Sequence, residues 1–341
     1  MGLLQRGPPQ KLFVPFVKWF WKTVWELMVN ELAPHDSIGR FIRDYSPKSY
    51  LQPPPSLSPT STYKLYVGNP CPWCHRLTLA GALLGTGETI ELIRLVDNAE
   101  KASKGGWVLP KSETINGELV SDLYGVYKAG SKGTYEGRAT APLLVDEGGT
   151  LVSNESSDIL KLLKDKTTTK VELRPAGFEE EIEEVNEWGY RLLQNGVYKC
   201  GFATTQEAYN EAASEVLEGL TKLNDLLGDK RFCCGSKVTE SDVRMYPWAC
   251  RFDGAYSVAF KAPGGKLSDW PNVERWKDDM DKIEGVKDSV DVGDAVGSYY
   301  RQLFMNNPSG IVFYDDGWGK VKGGEEEGEI LGDEVLHFID D

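Results

Sequence analysis

The chain has 341 residues, 40% hydrophobic and 26% charged, with a formal net charge of −14. This composition excludes collagen-like, coiled-coil and low-complexity classes and leaves room for two ordinary domains with extra segments at the ends. An acidic chain is a poor partner for nucleic-acid phosphate, and three histidines (His35, His75, His337) are too few for a multi-histidine centre, so neither nucleic acid nor a metal is expected.

No secretory signal is read at the N-terminus, and Arg6 stands where a myristoylation signal after Gly2 needs Ser or Thr. Six cysteines are too sparse for a disulfide-framed scaffold and fit a reducing compartment, cytoplasmic or alternatively plastid. Residues 11–30 are the most hydrophobic stretch, but Lys11, Lys18, Lys22 and Glu26 interrupt it and rule out a membrane span. Phe13, Phe16, Val17, Phe20, Val24, Leu27 and Met28 recur at helical spacing opposite those charges. The spacing predicts an amphipathic extension over 1–46 whose helix docks on the protein's own core, with a membrane anchor as the alternative. Residues 47–62, rich in proline and serine, read as an extended connector.

Residues 63–67 then read as a strand, Gly68-Asn69-Pro70 as a turn, and residues from Pro72 to the Gly85 stop as a helix. A second strand is expected over 89–95, followed by a long insertion. Residues 142–145 and 150–153 suggest a hairpin, and Asn154 is expected to cap a helix reaching Leu163. From 178 to about 300 only helical periodicity is present. The implied layout is an α/β domain over 63–165, an all-α domain over 176–306, and a tail over 307–341. That tail reads as partly disordered, because residues 315–341 hold ten acids against two lysines.

Asn69-Pro70-Cys71-Pro72-Trp73-Cys74-His75-Arg76 carries the chemistry. Pro72 is preorganised for a first helical position, so the Cys71 sulfur meets the unpaired N–H groups and positive end of a helix. Such groups favour the thiolate and lower a cysteine pKa. Cys71 is therefore the expected nucleophile, and Cys74, one turn on, either resolves a mixed disulfide or packs against the sheet. Arg76 is expected to pair with a carboxylate.

From about Gly39 to Gly310 the sequence resembles glutathione transferases, most closely the xi class, the glutathionyl-hydroquinone reductases. The resemblance rests on the cysteine motif, on Asn154-Glu155-Ser156-Ser157, and on segments beginning at Asn195, Arg251 and Asn307. It implies a thioredoxin-like domain followed by an all-helical transferase domain, and a homodimer. It assigns Cys71 and Tyr198 to catalysis and Trp107, Ala141, a cis Pro142, Glu155 and Ser156 to glutathione. Arg251, Tyr256 and Tyr299 are assigned to a pocket for a quinone or hydroquinone. On residues alone, Glu155 and Ser156 serve equally as a helix cap, Arg251 as an ion-pair partner of Asp253 or Asp242, and the tyrosines as buried residues with satisfied hydroxyls.

The implied reaction is reductive deglutathionylation through a Cys71 mixed disulfide, with glutathione as cosubstrate. Cys74 replaces a usual alanine, Ala141 a frequent valine, and residues 259–263 depart from the usual segment. Those departures keep two alternatives in play: a glutaredoxin-like or dehydroascorbate-reducing dithiol reductase, and a non-catalytic scaffold with the transferase shape.

Overall fold

A computed structural model describes residues 10–43, 51, 53–303, 307, 311 and 312. Most of the acidic tail and the start of the connector lie outside the described residues, as does most of the Asn307 segment. Helix α1 (Gln10–Leu32) forms as its periodicity predicts, but its docking does not follow. Leu12, Phe16 and Trp19 are 74%, 58% and 62% exposed, and burial begins only at the C-terminal end with Val29 and Ala33. The apolar stripe is thus not core, which corrects the sequence expectation. The described part of the connector is no free spacer either. Lys166 Nζ donates to the carbonyls of Ser58 and Ser61, both at 2.6 Å, and Leu57 is buried.

Strand β1 (Tyr63–Gly68) leads through a short turn into α2 (Pro72–Leu84) and the parallel strand β2 (Ile90–Asp97). The α2 helix stops at Gly85, whose φ of 67° is the left-handed conformation that glycine adopts without strain. The expected insertion is structured: β3 (Trp107–Ile115), β4 (Glu118–Asp122) and α3 (Leu123–Gly130). Strand β5 (Leu143–Asp146) and strand β6 (Leu151–Ser153) form the predicted hairpin, and the sheet order is β4-β3-β2-β1-β5-β6. Helix α4 (Ser156–Leu163) has Glu155, not Asn154, at its N-cap position, without a side-chain capping bond. The β2-β1-β5-β6 part is the thioredoxin-like sheet, and β3-β4 extends it past the β2 edge.

Among the described residues that follow, six α-helices succeed one another: α5 (Glu179–Trp188), α6 (Gly196–Phe202), α7 (Gln206–Asp229), α8 (Glu240–Arg251), α9 (Pro271–Asp281) and α10 (Val292–Gln302). Two π-helical turns interrupt them, Gly189–Gln194 ahead of α6 and Phe252–Tyr256 directly after α8. Such turns shift the face a helix presents, and here they precede Tyr198 and carry Tyr256. Helix α2 packs against both α4 and α8, so the cysteine-bearing helix sits at the junction of sheet and bundle.

Candidate active site

Cys71 is the N-cap of α2 and accepts the Cys74 backbone N–H at 3.4 Å. Burial alone pushes this thiol up. The Cys74 thiol and the N–H groups of Cys74 and Trp73 outweigh it, with the Arg251 charge adding, and the pKa falls to about 7. Cys74 goes the other way: it is buried, and burial together with its bond to Cys71 raises its pKa well above the ordinary thiol value. The pair is one poised thiolate and one thiol held protonated.

Behind the turn stands Arg251, fully buried at the end of α8. Its Nη2 donates to the Asn69 carbonyl at 2.9 Å, its Nε to the Pro70 carbonyl at 3.2 Å, and its Nη1 to Pro247 O at 2.9 Å. Nη1 also lies 3.0 Å from His75 Nδ1, and His75 Nε2 lies 2.9 Å from Ser289 Oγ. Burial and the Arg251 charge push the His75 pKa well down, so the ring is neutral, with Nδ1 accepting and the proton on Nε2. This geometry corrects both sequence readings of Arg251. It neither lines the cavity nor pairs with Asp253 or Asp242, because its fork is spent on the carbonyls that precede Cys71. Asn69 adds a second tie, its Nδ2 donating to Asp294 Oδ2 at 2.7 Å.

In front of Cys71 opens a cavity of about 400 Å³, within the range of small-ligand sites. Of the predicted residues, Cys71, Trp107, Ala141, Tyr198 and Tyr299 line it. The Ala141–Pro142 bond is cis, as expected, and the Cys71 thiol lies 3.6 Å from the Ala141 carbonyl. Gly68 is required beside this wall, since a Cβ there would stand 2.3 Å from the Trp107 ring. Tyr198 and Tyr299 place their hydroxyls 2.8 Å apart. Tyr256 is buried behind them, its ring packed on those of Tyr198 and Tyr299 and its hydroxyl 3.1 Å from that of Tyr299, which corrects its assignment to the pocket surface. Burial pushes the Tyr256 and Tyr299 phenols well up, so both stay protonated and able to donate.

Glu155 and Ser156 lie at the start of α4, outside the cavity lining. Burial, with Asp158 nearby, raises the Glu155 carboxyl pKa, and Arg76 opposes that shift. Arg76 itself departs from expectation: its partners are Gln194 Oε1 and, at 3.2 Å, Ser156 Oγ, not a carboxylate, and its guanidinium stacks 4.3 Å from the Trp73 ring centre. Sequence reasoning missed Arg43, which lines the cavity 4.3 Å over the Tyr198 ring. Its basic stretch is visible in the sequence and Phe41 and Trp73 lie near it in the chain, but the partners that place it on the cavity wall, Asn195 and Tyr198, are more than a hundred residues away. Asp97 was also missed: it accepts from Ser298 Oγ at 2.6 Å and Gln302 Nε2 at 2.9 Å, tying the end of β2 to α10 along the cavity wall. Among the described residues no group of three or more His, Cys, Asp or Glu is placed to hold a metal.

Residues 70–166 match the N-terminal domain family of glutathione S-transferases, and residues 206–278 the C-terminal domain family. The chain is 35% identical to glutathionyl-hydroquinone reductase PcpF of Sphingobium chlorophenolicum over 257 residues, 73% of this chain and 81% of that protein. It is 32% identical to glutathionyl-hydroquinone reductase YqjG of Escherichia coli over 293 residues, 80% of this chain and 88% of that protein. Among solved structures, the xi glutathione S-transferase of Phanerochaete chrysosporium superposes with a TM-score of 0.71 at 29% identity, covering 82% of this chain and 94% of that one. The glutathione-bound structure of YqjG superposes with a TM-score of 0.66 at 32% identity, covering 74% of this chain and 85% of that one.

Proposed function

Because the chain belongs to the glutathione transferases, among the xi-class glutathionyl-hydroquinone reductases, we propose that it removes glutathione from glutathionylated hydroquinones. The observation that carries the reading is the Cys71 thiol, drawn down to about 7 and facing a cavity walled by paired phenols. The Cys71 thiolate attacks the glutathione sulfur of the substrate, forming an S–S bond as the carbon–sulfur bond breaks. The bonding electrons leave with the ring, which takes up a proton and departs as hydroquinone. The thiolate of a second glutathione attacks the mixed disulfide, and oxidised glutathione leaves with Cys71 restored as thiolate.

Tyr198 and Tyr299 donate to the ring oxygens as charge develops there, because their hydroxyls stand together on the cavity wall, Tyr299 being held in turn by Tyr256 and kept protonated by burial. Trp107 and the cis Ala141–Pro142 backbone hold the glutathione end nearest the sulfur. Glu155, free of any capping bond, receives the ammonium group, and Ser156 with the α4 start receives the carboxylate. On this reading residues 63–165 bind glutathione and residues 176–306 supply the second-substrate pocket. The homodimer and a cytoplasmic or plastid location rest on the family resemblance and cysteine usage. Tyr198→Phe should slow hydroquinone release by roughly 10-fold, the worth of one hydrogen bond to a charged group, and leave reduction of a simple glutathione mixed disulfide near wild type. Steady-state rates on the two substrates, side by side, check this; equal losses would reduce Tyr198 to a packing role.

The hydrogen bond between the two motif thiols favours one competing reading, a dithiol reductase in which Cys74 resolves Cys71. We favour the monothiol route, since the buried Cys74 supplies almost no thiolate. Cys74→Ala should keep deglutathionylation within a few-fold of wild type while raising the pH at which Cys71 ionises, the Cys74 S–H donor being gone. A large rate loss, with a Cys71–Cys74 disulfide trapped in the oxidised wild type by mass spectrometry, would reverse the choice.

A further inference from the structure

We propose that α1 is an interfacial anchor that lays the protein on an anionic lipid surface and presents the catalytic cavity to hydroquinones dissolved in that lipid. Projected at 100° per residue, Leu12, Phe13, Phe16, Trp19, Phe20 and Trp21 cover roughly 200° of the helix circumference. Each of the six is at least 43% exposed. Lys11, Lys18 and Lys22 fall within about 40° of one another on the opposite side. A two-stranded helix pair needs only a narrow apolar seam, whereas so broad an arc calls for an apolar medium on most sides. Phenylalanine and tryptophan are also the side chains that settle at the headgroup boundary.

Charge points to the same occupant. Helix α1 holds three lysines against Glu26 and Glu31, with Lys22 paired to Glu26 and both acids in its C-terminal half, so in a chain of net charge −14 its outer half is a positive segment attracted to anionic headgroups that the rest of the chain avoids. No helix among the described residues is long and apolar enough to cross a membrane, and α1, about 34 Å long at 1.5 Å per residue, lies along the surface.

Position links the anchor to the site. Val29 and Ala33 fix the C-terminal end of α1 in the protein, and Met28 lines the cavity together with Ala99 and Ala102 of the 3₁₀ turn Ala99–Lys104. The helix therefore runs outward from the cavity margin, and a surface that accepts its aromatic arc adjoins the opening through which an apolar-tailed ring would pass. This substrate class rests on the hydroquinone reading of the cavity; the lipid binding does not.

The full-length protein should co-sediment with phosphatidylglycerol–phosphatidylcholine vesicles and several-fold less with phosphatidylcholine alone. The F16S/W19S/F20S variant, altered only at exposed positions, should stay in the supernatant and turn over a water-soluble glutathionylated hydroquinone at the wild-type rate. It should lose turnover of a long-tailed glutathionylated hydroquinone embedded in the vesicles. A wild type that stays in the supernatant, or a variant that sediments equally, overturns the proposal. A variant that falls from dimer to monomer by size exclusion with light scattering also overturns it and gives α1 to a second copy. Equal turnover of the embedded substrate by both proteins removes the lipid-substrate claim. Failure on every glutathionylated hydroquinone, with vesicle binding retained, would overturn the hydroquinone reading and leave the anchor standing.

Discussion

Cys71→Ala is expected to bring turnover of a glutathionylated hydroquinone down to background, a loss of roughly 10³-fold or more for a nucleophile that forms the covalent intermediate. The fold should survive, because the half-buried Cys71 contributes a single sulfur acceptor to the start of α2, where Pro72 already sets the helical backbone. In the wild type, alkylation by iodoacetamide should single out Cys71. The other five cysteines are buried, and burial raises each of them, Cys200 to about 12 and Cys250 to about 11. The sign of the pH dependence follows from the lowered value: below about 7 the thiol is protonated and slow, the rate climbs as pH passes through that value, and it levels off above. A midpoint near the ordinary thiol value, about 8.5, would show that the α2 terminus does not activate this sulfur. Full activity in the alanine variant would move the nucleophile elsewhere.

The residues around Cys71 were legible because their signals are local. Pro72 after the cysteine, Gly85 at the helix stop and the Glu147-Gly148-Gly149 turn each fix backbone conformation within a few positions. Strands β3 and β4 were not legible. Pro110, Lys111 and Ser112 are exposed mid-strand residues, and Leu109 and Ile115 are the only buried ones in β3, so alternation is too weak to register. The α1 helix was legible as a helix and misread as a packed one, because period 3.6 reports which residues share a face and not what covers that face. Tyr198, Tyr256 and Tyr299 came from the family resemblance; their mutual contacts span up to 101 residues of sequence and no spacing rule reaches that far. Glycine, proline and cap residues thus specified the thiol, while the walls of its cavity depend on contacts that only the folded chain makes.

Arg251 is the residue whose role changed most between sequence and structure, and it carries the second large expectation. Four of its contacts are directed at the Asn69 and Pro70 carbonyls, the Pro247 carbonyl and a neutral His75, and among the described residues no carboxylate shares the guanidinium. It acts as a positioning residue, holding from the helical bundle the two peptide units that precede the nucleophile, and its charge also favours the thiolate. Two substitutions separate those contributions. Arg251→Lys keeps the charge but loses the planar fork, so it cannot hold both carbonyls; kcat should fall about 10–100-fold, the cost of a slight misplacement of the attacking atom, with the alkylation midpoint little changed. Arg251→Gln also removes the charge, and its midpoint should move up from about 7. Both variants leave buried carbonyls unpaired, at about 1–3 kcal/mol each, so both should melt earlier, and melting alone decides nothing. Variants that melt earlier yet keep wild-type kcat and the wild-type alkylation profile would make Arg251 a structural cross-link between sheet and bundle. A kcat loss in Arg251→Lys without an equal rise in KM for glutathione would place the damage at the reacting sulfur, because the residues proposed to bind glutathione make none of the contacts that the lysine breaks.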